Sequence, residues 1–318
     1  MMLAIIIPYY KLTFFEETLK SLSNQTDKRF KVYIGDDASP ESPIELLEKF
    51  KEKLVYQYVK FETNLGGISL VNQWHRCIDL ANEDWIMILG DDDVLSPNLV
   101  EDFYKNLPEI ESYKSNVVRF STKIINGSGK LISDTYNHPK TETAIEFLCR
   151  KFSKQTRSSL SEHIFKRAAV VEKRFRNFPL AWHSDDMAVI DFSESNKIYS
   201  INSSFVSVRV SEISLTGDEQ FMKVKNEATF QFCGVLFTEY AGSFSKIQKK
   251  IILKKLEMAY FNIPSFNNYL VISSYYCNRI GLVDCFKFQF RLFKVFIISV
   301  LEKLQLLGLV QKVFFKKK

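Results

Sequence analysis

The chain has 318 residues, more than one average domain needs and about right for one large domain with an appendage. Hydrophobic residues make up 46% of it, enough for a packed core, so an intrinsically disordered chain is excluded. The net charge of +6 is uneven, because residues 246–318 hold 14 Lys and Arg against 3 Asp and Glu, which leaves residues 1–245 at −5. An acidic body with a basic, aromatic tail indicates two tasks, with an anionic partner for the tail.

The start of the chain, MMLAIIIPYY, has no basic region and only a short apolar run. We therefore expect no signal peptide there. The five cysteines are scattered and form no CxxC pair. This pattern predicts small core residues in a reducing cytoplasm, and it favours neither disulfides nor a zinc site.

Strand and helix patterns alternate through the first 120 residues. Short apolar runs predict strands, and segments with apolar residues every three or four positions predict helices. The strands are expected at residues 3–7, 31–35, 55–61, 85–89 and 116–121, and the helices at 15–25, 43–54, 69–81 and 97–107. Strands separated by helices of this length predict a parallel sheet with right-handed crossovers.

The pattern weakens after residue 121, where a hairpin turn at 126–130 is followed by loop, helix and a mixed segment. From residue 219 onward the pattern is almost wholly helical, so we expect two domains, 1–218 and 219–318. The longest uncharged run near the end, Leu304–Gln311, is far shorter than the roughly 20 residues that cross a bilayer. Basic residues alternate there with Phe, Leu and Ile, which predicts a helix at a membrane surface; the alternative is an ordinary packed helix.

Polar residues follow each of the first four predicted strands. They are Pro8-Tyr9-Tyr10, Gly35-Asp36-Asp37, Asn64-Leu65-Gly66-Gly67 and Asp91-Asp92-Asp93. The carboxyl ends of parallel strands share one sheet edge, which is where such sheets bind ligands. Carboxylates gathered there must be paired, protonated or bound to a cation, and oxygen ligands favour Mg²⁺ or Mn²⁺. We therefore expect a site for a metal and a nucleotide diphosphate; a solvated turn is the alternative for the acidic triplet.

Two other nucleotide-binding patterns can be tested in the sequence. A nicotinamide fold would place GxGxxG after the first strand, but PYYKL stands there with no glycine. A GxxxxGK[ST] phosphate loop is also absent from the sequence. The lone GxG at 127–129 lies in the predicted hairpin turn and is no evidence for a nucleotide-binding loop.

Four motifs follow one another in the sequence: AIIIPYYK, VYIGDDAS, NLGG and WIMILGDDDVLSP. In this order they resemble the N-terminal nucleotide-sugar domain of family 2 glycosyltransferases. The resemblance covers roughly residues 1–215. It implies the GT-A fold, an α/β fold with a mostly parallel sheet flanked by helices, followed here by a helical C-terminal region. The family usually carries D-x-D-D after the fourth strand, and Gly90 replaces its first Asp. This departure leaves open which of the three aspartates contacts the metal.

The resemblance implies a role for the residues that follow the first three strands. Pro8 and Tyr9 are expected to frame the nucleotide base, and Asp37 to bind its uracil ring. Asn64 and Gly66 match the family's loop near the ribose and the diphosphate.

The resemblance also implies the phosphate and metal contacts. Asp92 falls at the family's metal-ligand position, and Asp91 and Asp93 are expected to contact ribose, water or the metal. Arg76 and Arg209 are candidates to approach the phosphates. An exposed strand charge is the alternative for Arg209.

Transfer of a sugar with inversion requires one carboxylate to accept the proton of the acceptor hydroxyl. Asp185 and Asp186 resemble the family's later E-D motif, with Asp186 at the position of the base. An Asp pair that opens a helix is also an ordinary cap with favourable charge. Trp182 and His183 precede the pair and are expected to line the acceptor site.

The resemblance implies a metal-dependent, inverting hexosyl- or N-acetylhexosaminyltransferase that uses a nucleotide-sugar donor, with UDP as the expected nucleotide. Its implied setting is bacterial surface-polysaccharide synthesis, with a glycan or lipid-linked acceptor at the inner face of the cell membrane. A sugar-1-phosphate nucleotidyltransferase is one alternative, but PYYKLTFFEE lacks the glycine-rich basic loop that it needs. A non-catalytic sugar-binding protein that retains the fold is another. The helical apolar pattern of the tail favours a membrane surface over nucleic acid.

Overall fold

The computed structural model describes residues 2–211 and 221–303. The predicted domain boundary after residue 218 and the apolar run Leu304–Gln311 lie outside the described residues. The chain clusters into two compact units, Met1–Gly234 and Val235–Lys318.

The strands and helices of the described ranges alternate in the first half, as the periodicity predicts. The strands are β1 (Leu3–Tyr9), β2 (Phe30–Asp36), β3 (Tyr56–Lys60), β4 (Trp85–Ile88), β5 (Val94–Leu95), β6 (Val117–Ile125), β7 (Thr141–Thr143), β8 (His163–Lys166) and β9 (Lys197–Arg209). The helices are α1 (Phe15–Ser23), α2 (Ile44–Glu48), α3 (Leu70–Ile78), α4 (Leu99–Ser112), α5 (Ala144–Phe152), α6 (Arg167–Lys173), α7 (Ser184–Ser193), α8 (Met222–Glu239), α9 (Lys246–Asn262), α10 (Phe266–Tyr275) and α11 (Leu282–Lys303). Helix α2 is shorter than the predicted 43–54. It ends at Glu48, and the chain continues in turns to residue 53.

The described strands form one sheet in the order β3-β2-β1-β4-β8-β6-β9-β5, with β7 also paired to β9. Neighbours β3, β2, β1 and β4 are parallel, and β6 and β9 are parallel to each other. Strand β8 runs antiparallel between β4 and β6, so β6 points in the same direction as β4. The expected mostly parallel α/β sheet is confirmed. Strand β8 was not predicted, because four residues are too few to show a period.

Strand β1 lies at the centre of the core, and its residues 3–7 are fully buried. Alternate side chains of a strand point to opposite faces. Leu3, Ile5 and Ile7 join the cluster that also contains the apolar faces of α1 and α4. Helix α3 packs against β1 and β2. The sheet is therefore covered by helices, as buried parallel strands require.

The helical C-terminal region is confirmed over its described part. Helices α9 and α10 are capped by the residues just before them, Ser245 and Ser265. The hydroxyl of each serine accepts the backbone N–H of the third helical residue. None of the helices in residues 2–211 and 221–303 is long and apolar enough to cross a bilayer. Four of the five cysteines are buried, as expected, but Cys277 is exposed, and its Sγ lies 2.8 Å from that of Cys285.

A buried ion pair joins β6 to β7. The Arg119 guanidinium donates to Glu142 Oε1 at 2.5 Å and to Ser200 Oγ at 2.9 Å. Arg150 of α5 also donates to both oxygens of Glu142, at 2.7 and 2.9 Å. Burial lowers the pKa of Arg119 to about 10, and Glu142 opposes that shift. Glu142 therefore balances two cations of which one is fully buried.

We expect Glu142→Ala to lower the free energy of unfolding by about 3–5 kcal/mol, because it leaves Arg119 buried without its hydrogen-bonded counter-charge. Urea denaturation at neutral pH measures this loss. Glu48→Ala is the matched control, since Glu48 and Lys51 form an exposed pair and its removal is expected to change stability by about 0.5 kcal/mol or less. Equal losses in the two variants would contradict the prediction.

Candidate active site

A cavity of about 570 Å³ lies at the carboxyl edge of β1, β2 and β4. Ligands bind at this edge in open α/β sheets. The sequence-predicted site residues that line the cavity are Pro8, Asp37, Asn64, Gly66, Asp91, Asp92, Asp93 and Arg209. Those that do not line it are Tyr9, Arg76, Trp182, His183, Asp185 and Asp186. The four motifs that follow the strands thus meet in one place, and the later motif lies apart from the cavity wall.

The loop after β1 is fastened to the acidic triplet. Asp91 Oδ2 accepts the backbone N–H groups of Tyr10 and Lys11, each at 2.8 Å. The Tyr9 ring is buried, and its hydroxyl donates to the carbonyl of Glu41 at 2.7 Å. Tyr10, not Tyr9, therefore lines the cavity.

Asp37 organises the loop after β3. Its two carboxylate oxygens accept the backbone N–H of Leu65 at 2.7 Å and of Gly66 at 2.8 Å. Arg76 forms an ion pair with the same carboxylate, and its guanidinium lies 3.9 Å from the centre of the Phe61 ring. A Cβ at position 66 would lie 2.5 Å from Asp37 Oδ2, so only glycine lets the backbone approach this closely.

Asp92 and Asp93 both face Gly90. A Cβ at position 90 would lie 3.0 Å from Asp92 Oδ1 and 3.1 Å from Asp93 Oδ2, so the glycine leaves space for two carboxylates. Asp93 is buried and accepts the backbone N–H of Arg209 at 2.9 Å. Burial, reinforced by the charges of Asp93 and Asp91, raises the pKa of Asp92 to about 8.

The Arg209 side chain is fully buried and supports the acidic triplet from β9. Its guanidinium donates to the carbonyl of Asp92 at 3.0 Å, to that of Asn126 at 3.1 Å and to Glu17 Oε2 at 2.6 Å. It also lies 4.3 Å from the centre of the Phe14 ring. Arg209 is therefore engaged by protein acceptors on every side, and any role toward a phosphate stays a prediction.

The fit of a divalent cation can be tested on these carboxylates. Within residues 2–211 and 221–303, no group of three or more His, Cys, Asp and Glu side chains is arranged as a set of metal ligands. Asp91 and Asp93 accept backbone amides, whereas Asp92 accepts no hydrogen bond from another residue of the described chain. Mg²⁺ often takes one or two carboxylates and completes its shell with substrate phosphates and water. Asp92 fits such a site, because a bound cation would offset the cost of burying its negative charge.

The Asp185–Asp186 pair opens α7, and Asp186 is bonded to Lys151 and His183. Asp186 Oδ1 accepts from Lys151 Nζ at 2.5 Å, and its Oδ2 pairs with His183 Nδ1 at 2.7 Å. Burial alone would raise the pKa of Asp186, but Lys151 and His183 outweigh it and hold that pKa below its ordinary value. Burial raises the pKa of the neighbouring Asp185 to about 6, and Lys151 opposes the rise.

The segment that leads into α7 has an unusual backbone. Leu180, Ala181 and His183 have φ angles of 57°, 53° and 71°, in the left-handed region that non-glycine residues rarely adopt. Such conformations cost roughly 1–3 kcal/mol each and persist where the surroundings enforce them. Trp182 lies within this segment, with Lys225 Nζ 5.1 Å from the centre of its ring.

Three residues that sequence reasoning missed complete the site. Lys151 reaches Asp186 from α5, and Ser161 Oγ accepts the N–H of Gly90 at 3.1 Å. Glu162 is fully buried and accepts the backbone N–H and the hydroxyl of Ser159. All three lie in the mixed region after β6, where a lysine in a helix or a serine in a loop carries no signal of its own.

A comparison with protein families decides the class of the chain. The profile of Glycosyl transferase family 2 matches residues 4–168, about half of the sequence. The chain belongs to glycosyl transferase family 2. The matched range contains all four strand-end motifs, which confirms the resemblance and identifies the chain as a glycosyltransferase. The Asp185–Asp186 pair lies beyond it.

Two curated relatives of this family 2 glycosyltransferase are similar over part of the chain. Poly(ribitol-phosphate) beta-N-acetylglucosaminyltransferase TarS of Staphylococcus aureus is 26% identical over 132 residues, which are 41% of this chain and 22% of TarS. An uncharacterized glycosyltransferase of Mycoplasma pneumoniae, the MG060 homolog, is 32% identical over 93 residues, 29% of this chain and 31% of that protein. The alignments thus span between about a fifth and a third of the relatives' lengths.

Solved structures extend the likeness over most of the fold. The crystal structure of TarS 1–349 in complex with UDP-GlcNAc has a TM-score of 0.62 at 16% identity and covers 83% of this chain and 73% of that one. The complex of the same fragment with UDP has a TM-score of 0.60 at 17% identity, covering 85% and 74%. The GT-A-like fold of the chain is therefore confirmed.

The Lys151–Asp186 pair generates a pH-dependent stability prediction. Because the pKa of Asp186 is lowered on folding, the pair stabilises the fold above the ordinary carboxyl pKa, and this contribution is lost as the pH falls through the lowered value. We expect Lys151→Met to cost about 3–5 kcal/mol at pH 7, because the Asp186 carboxylate stays buried and loses its ammonium partner, with only His183 left to bind it. The cost should shrink toward pH 4, where Asp186 of the variant is protonated. Urea unfolding at both pH values measures the difference.

The control for this prediction is Lys140→Met. Lys140 pairs with Glu109 at 2.5 Å, but its side chain is 60% exposed, so the pair is expected to contribute about 1 kcal/mol or less. A cost for Lys151→Met that is the same at both pH values would contradict the prediction.

Proposed function

We propose that the chain is a metal-dependent, inverting glycosyltransferase that moves a sugar from a UDP-linked donor to a glycan or lipid-linked acceptor. The observation that carries the proposal is the cavity at the carboxyl edge of β1, β2 and β4, with the acidic triplet in its wall. Family membership supports sugar transfer. The UDP-GlcNAc bound to TarS, which shares the fold, supports a UDP-linked N-acetylhexosamine or hexose donor.

The donor is proposed to bind along the strand ends. We assign the base to Pro8, Tyr9 and Asp37, and the ribose and diphosphate to the loop that holds Asn64 and Gly66. The bonds between Asp37 and the amides of Leu65 and Gly66 support this arrangement, because they order the loop in the cavity wall. In this arrangement Tyr9 acts indirectly, because it fixes the position of the loop that follows β1.

The diphosphate is proposed to meet Mg²⁺ or Mn²⁺ at Asp92, beside Asp91 and Asp93. When bound, the ion supplies positive charge that stabilises the departing diphosphate. Arg209 and Arg76 are proposed to support the phosphate side from the positions they hold, beneath the triplet and against Asp37. The Asp185–Asp186 pair is proposed to supply the base, with Trp182 and His183 on the acceptor side.

Calorimetric titration with UDP tests the donor site. We expect UDP binding that weakens at least about tenfold when Mn²⁺ is omitted, or when Asp92→Ala removes the ligand, because the diphosphate then lacks its counter-charge. Asp79→Ala is the matched control, since Asp79 forms an exposed pair with Arg174. Failure of the wild type to bind UDP in any condition, or equal effects of the two substitutions, would contradict the proposal.

We also propose that the C-terminal unit binds an anionic membrane surface, where a lipid-linked acceptor would lie. Helix α11 exposes Phe286 and Phe290 to 72% and 70%, and Lys287 lies between them in the sequence. Exposed aromatics interleaved with basic residues favour the interface of an anionic bilayer. TarS is named as acting on poly(ribitol-phosphate), which supports a polymeric acceptor in polysaccharide synthesis. We propose the inner face of the cell membrane as the place where this acceptor lies.

Vesicle flotation tests this surface. We expect the wild type to float with phosphatidylglycerol vesicles and Phe286→Ser/Phe290→Ser to partition at least about tenfold less, because the variant lacks the two exposed phenylalanines that would enter the bilayer. Ile44→Ser/Val55→Ser removes two exposed apolar side chains elsewhere and should float like the wild type. Equal flotation of all three proteins would exclude α11 as the contact.

A further inference from the structure

The cavity at the carboxyl edge of the sheet has an apolar wall as well as an acidic one. Leu70, Trp74 and Leu160 line the cavity, and each is half-buried. We call these three residues the apolar wall. Leu70 and Trp74 are four residues apart in α3, so they share one face of that helix. The backbone in the middle of a helix is enclosed by the helix itself, so Trp74 meets the cavity with its indole ring.

The indole of Trp74 is held in one position by the segment after α6. Its ring packs edge-to-face on that of Phe175, with 5.5 Å between the ring centres. The backbone N–H of Phe175 donates to His75 Nε2 at 3.1 Å, and Ser69 Oγ donates to Asn177 Oδ1 at 3.1 Å. The segment is therefore tied to α3 at two points. A ring that is fixed before a ligand arrives loses little conformational entropy on binding it.

The apolar wall begins at the loop that we assign to the ribose and diphosphate. A Cβ at position 66 would lie 3.4 Å from Leu70 Cδ2, so the Leu70 side chain packs against the Gly66 backbone. Trp74 lies one turn further along α3, and its partner Phe175 starts the segment that leads into α7. The sugar follows the diphosphate in a nucleotide sugar. The sugar is therefore the part of the donor that this wall can meet.

Two serine hydroxyls of the loop before β8 also line the cavity, and both are already engaged. Ser159 Oγ donates to Glu162 Oε2 at 2.5 Å. Ser161 Oγ accepts the N–H of Gly90 at 3.1 Å, and its own proton is donated to Asp93. Neither serine has a proton left for a sugar oxygen. A sugar hydroxyl placed here would lose water without gaining a donor from them, whereas a methyl group gains free energy by leaving water.

A 2-acetamido group matches this surface better than a 2-hydroxyl group does. The acetamido group combines an apolar methyl with a carbonyl acceptor, and the indole of Trp74 combines an apolar ring with one N–H donor. A 2-hydroxyl has no apolar part. The proposed function includes both N-acetylhexosamine and hexose donors, and the apolar wall distinguishes between them.

We propose that the apolar wall binds the acetamido group of the donor sugar, so that the enzyme selects a UDP-N-acetylhexosamine over a UDP-hexose. The inference rests on the proposed function and narrows its donor. Trp74 supplies the largest contact surface, and Leu70 and Leu160 enclose the methyl group beside it.

Calorimetric titration with UDP, UDP-N-acetylglucosamine and UDP-glucose in the presence of Mn²⁺ tests the selection. We expect the wild type to bind UDP-N-acetylglucosamine at least about tenfold more tightly than UDP-glucose, because one small apolar group in a fitted pocket gives discrimination of this size. Trp74→Ala should bring the two affinities within about twofold of each other by weakening the first, with UDP and UDP-glucose bound as before. Ile68→Ala is the matched control, since Ile68 is 85% exposed just before α3 and does not line the cavity.

Leu160→Trp tests the apolar wall in the opposite sense, because a larger side chain would occupy the space of the methyl group. It should weaken the binding of UDP-N-acetylglucosamine more than that of UDP-glucose. Unchanged UDP binding in each variant shows that its nucleotide site is folded. Equal affinities of the wild type for the two sugars, or a ratio that Trp74→Ala leaves unchanged, would overturn the inference while UDP binding still supports the proposed function. A wild type that binds neither UDP nor either sugar would overturn both.

Saturation-transfer NMR measures the contact itself. With UDP-N-acetylglucosamine and the wild type, the acetyl methyl protons should receive strong saturation. In Trp74→Ala they should lose most of it, while the uracil protons keep theirs. A methyl signal that is as strong in Trp74→Ala as in the wild type would overturn the assignment of the apolar wall.

Discussion

Carboxylates buried at one edge of a sheet impose the constraint on which the rest of this site depends. Strands β2 and β4 both lie beside β1 and parallel to it, so the aspartates that follow β2 and β4 gather at one edge. Each buried carboxylate requires donors or a cation. Asp91 uses the amides of the loop after β1, and Asp37 uses those of the loop after β3. The bonds that balance the charges therefore also shape the cavity wall.

Asp92 is the member of the triplet whose carboxylate accepts no hydrogen bond from another residue of the described chain. Strand β9 returns to place Arg209 beneath the triplet, but its guanidinium meets the Asp92 carbonyl and Glu17, while its amide meets Asp93. Burial and the charges of Asp93 and Asp91 raise the pKa of Asp92, and the charge of Arg209 only opposes the rise. A cation brought with a diphosphate would complete the balance, and this links the proposed donor to the proposed metal through one physical cause.

The sequence predicted the parts of this protein that depend on neighbouring residues. The strands before Pro8, Asp37, Asn64 and Asp91 show as apolar runs, and the polar residues after each run place a site at their ends. The N-terminal sheet and the convergence of the motifs followed from these signals. Strand β8 and the early end of α2 did not, because a four-residue strand has no period and helix length is set by packing.

The alternation of strands and helices, the acidic sheet edge and the family were thus determined by the sequence alone, through local periodicity, turn chemistry and motif order. Only the tertiary structure decided which carboxylates have hydrogen-bond partners from distant parts of the chain. Lys151 meets Asp186 across 35 positions, and His183 meets Thr229 across 46. These pairings depend on how α5, α7 and α8 pack against one another. A local pattern carries no record of that packing, so the contacts of the Asp185–Asp186 pair become visible only in the folded chain.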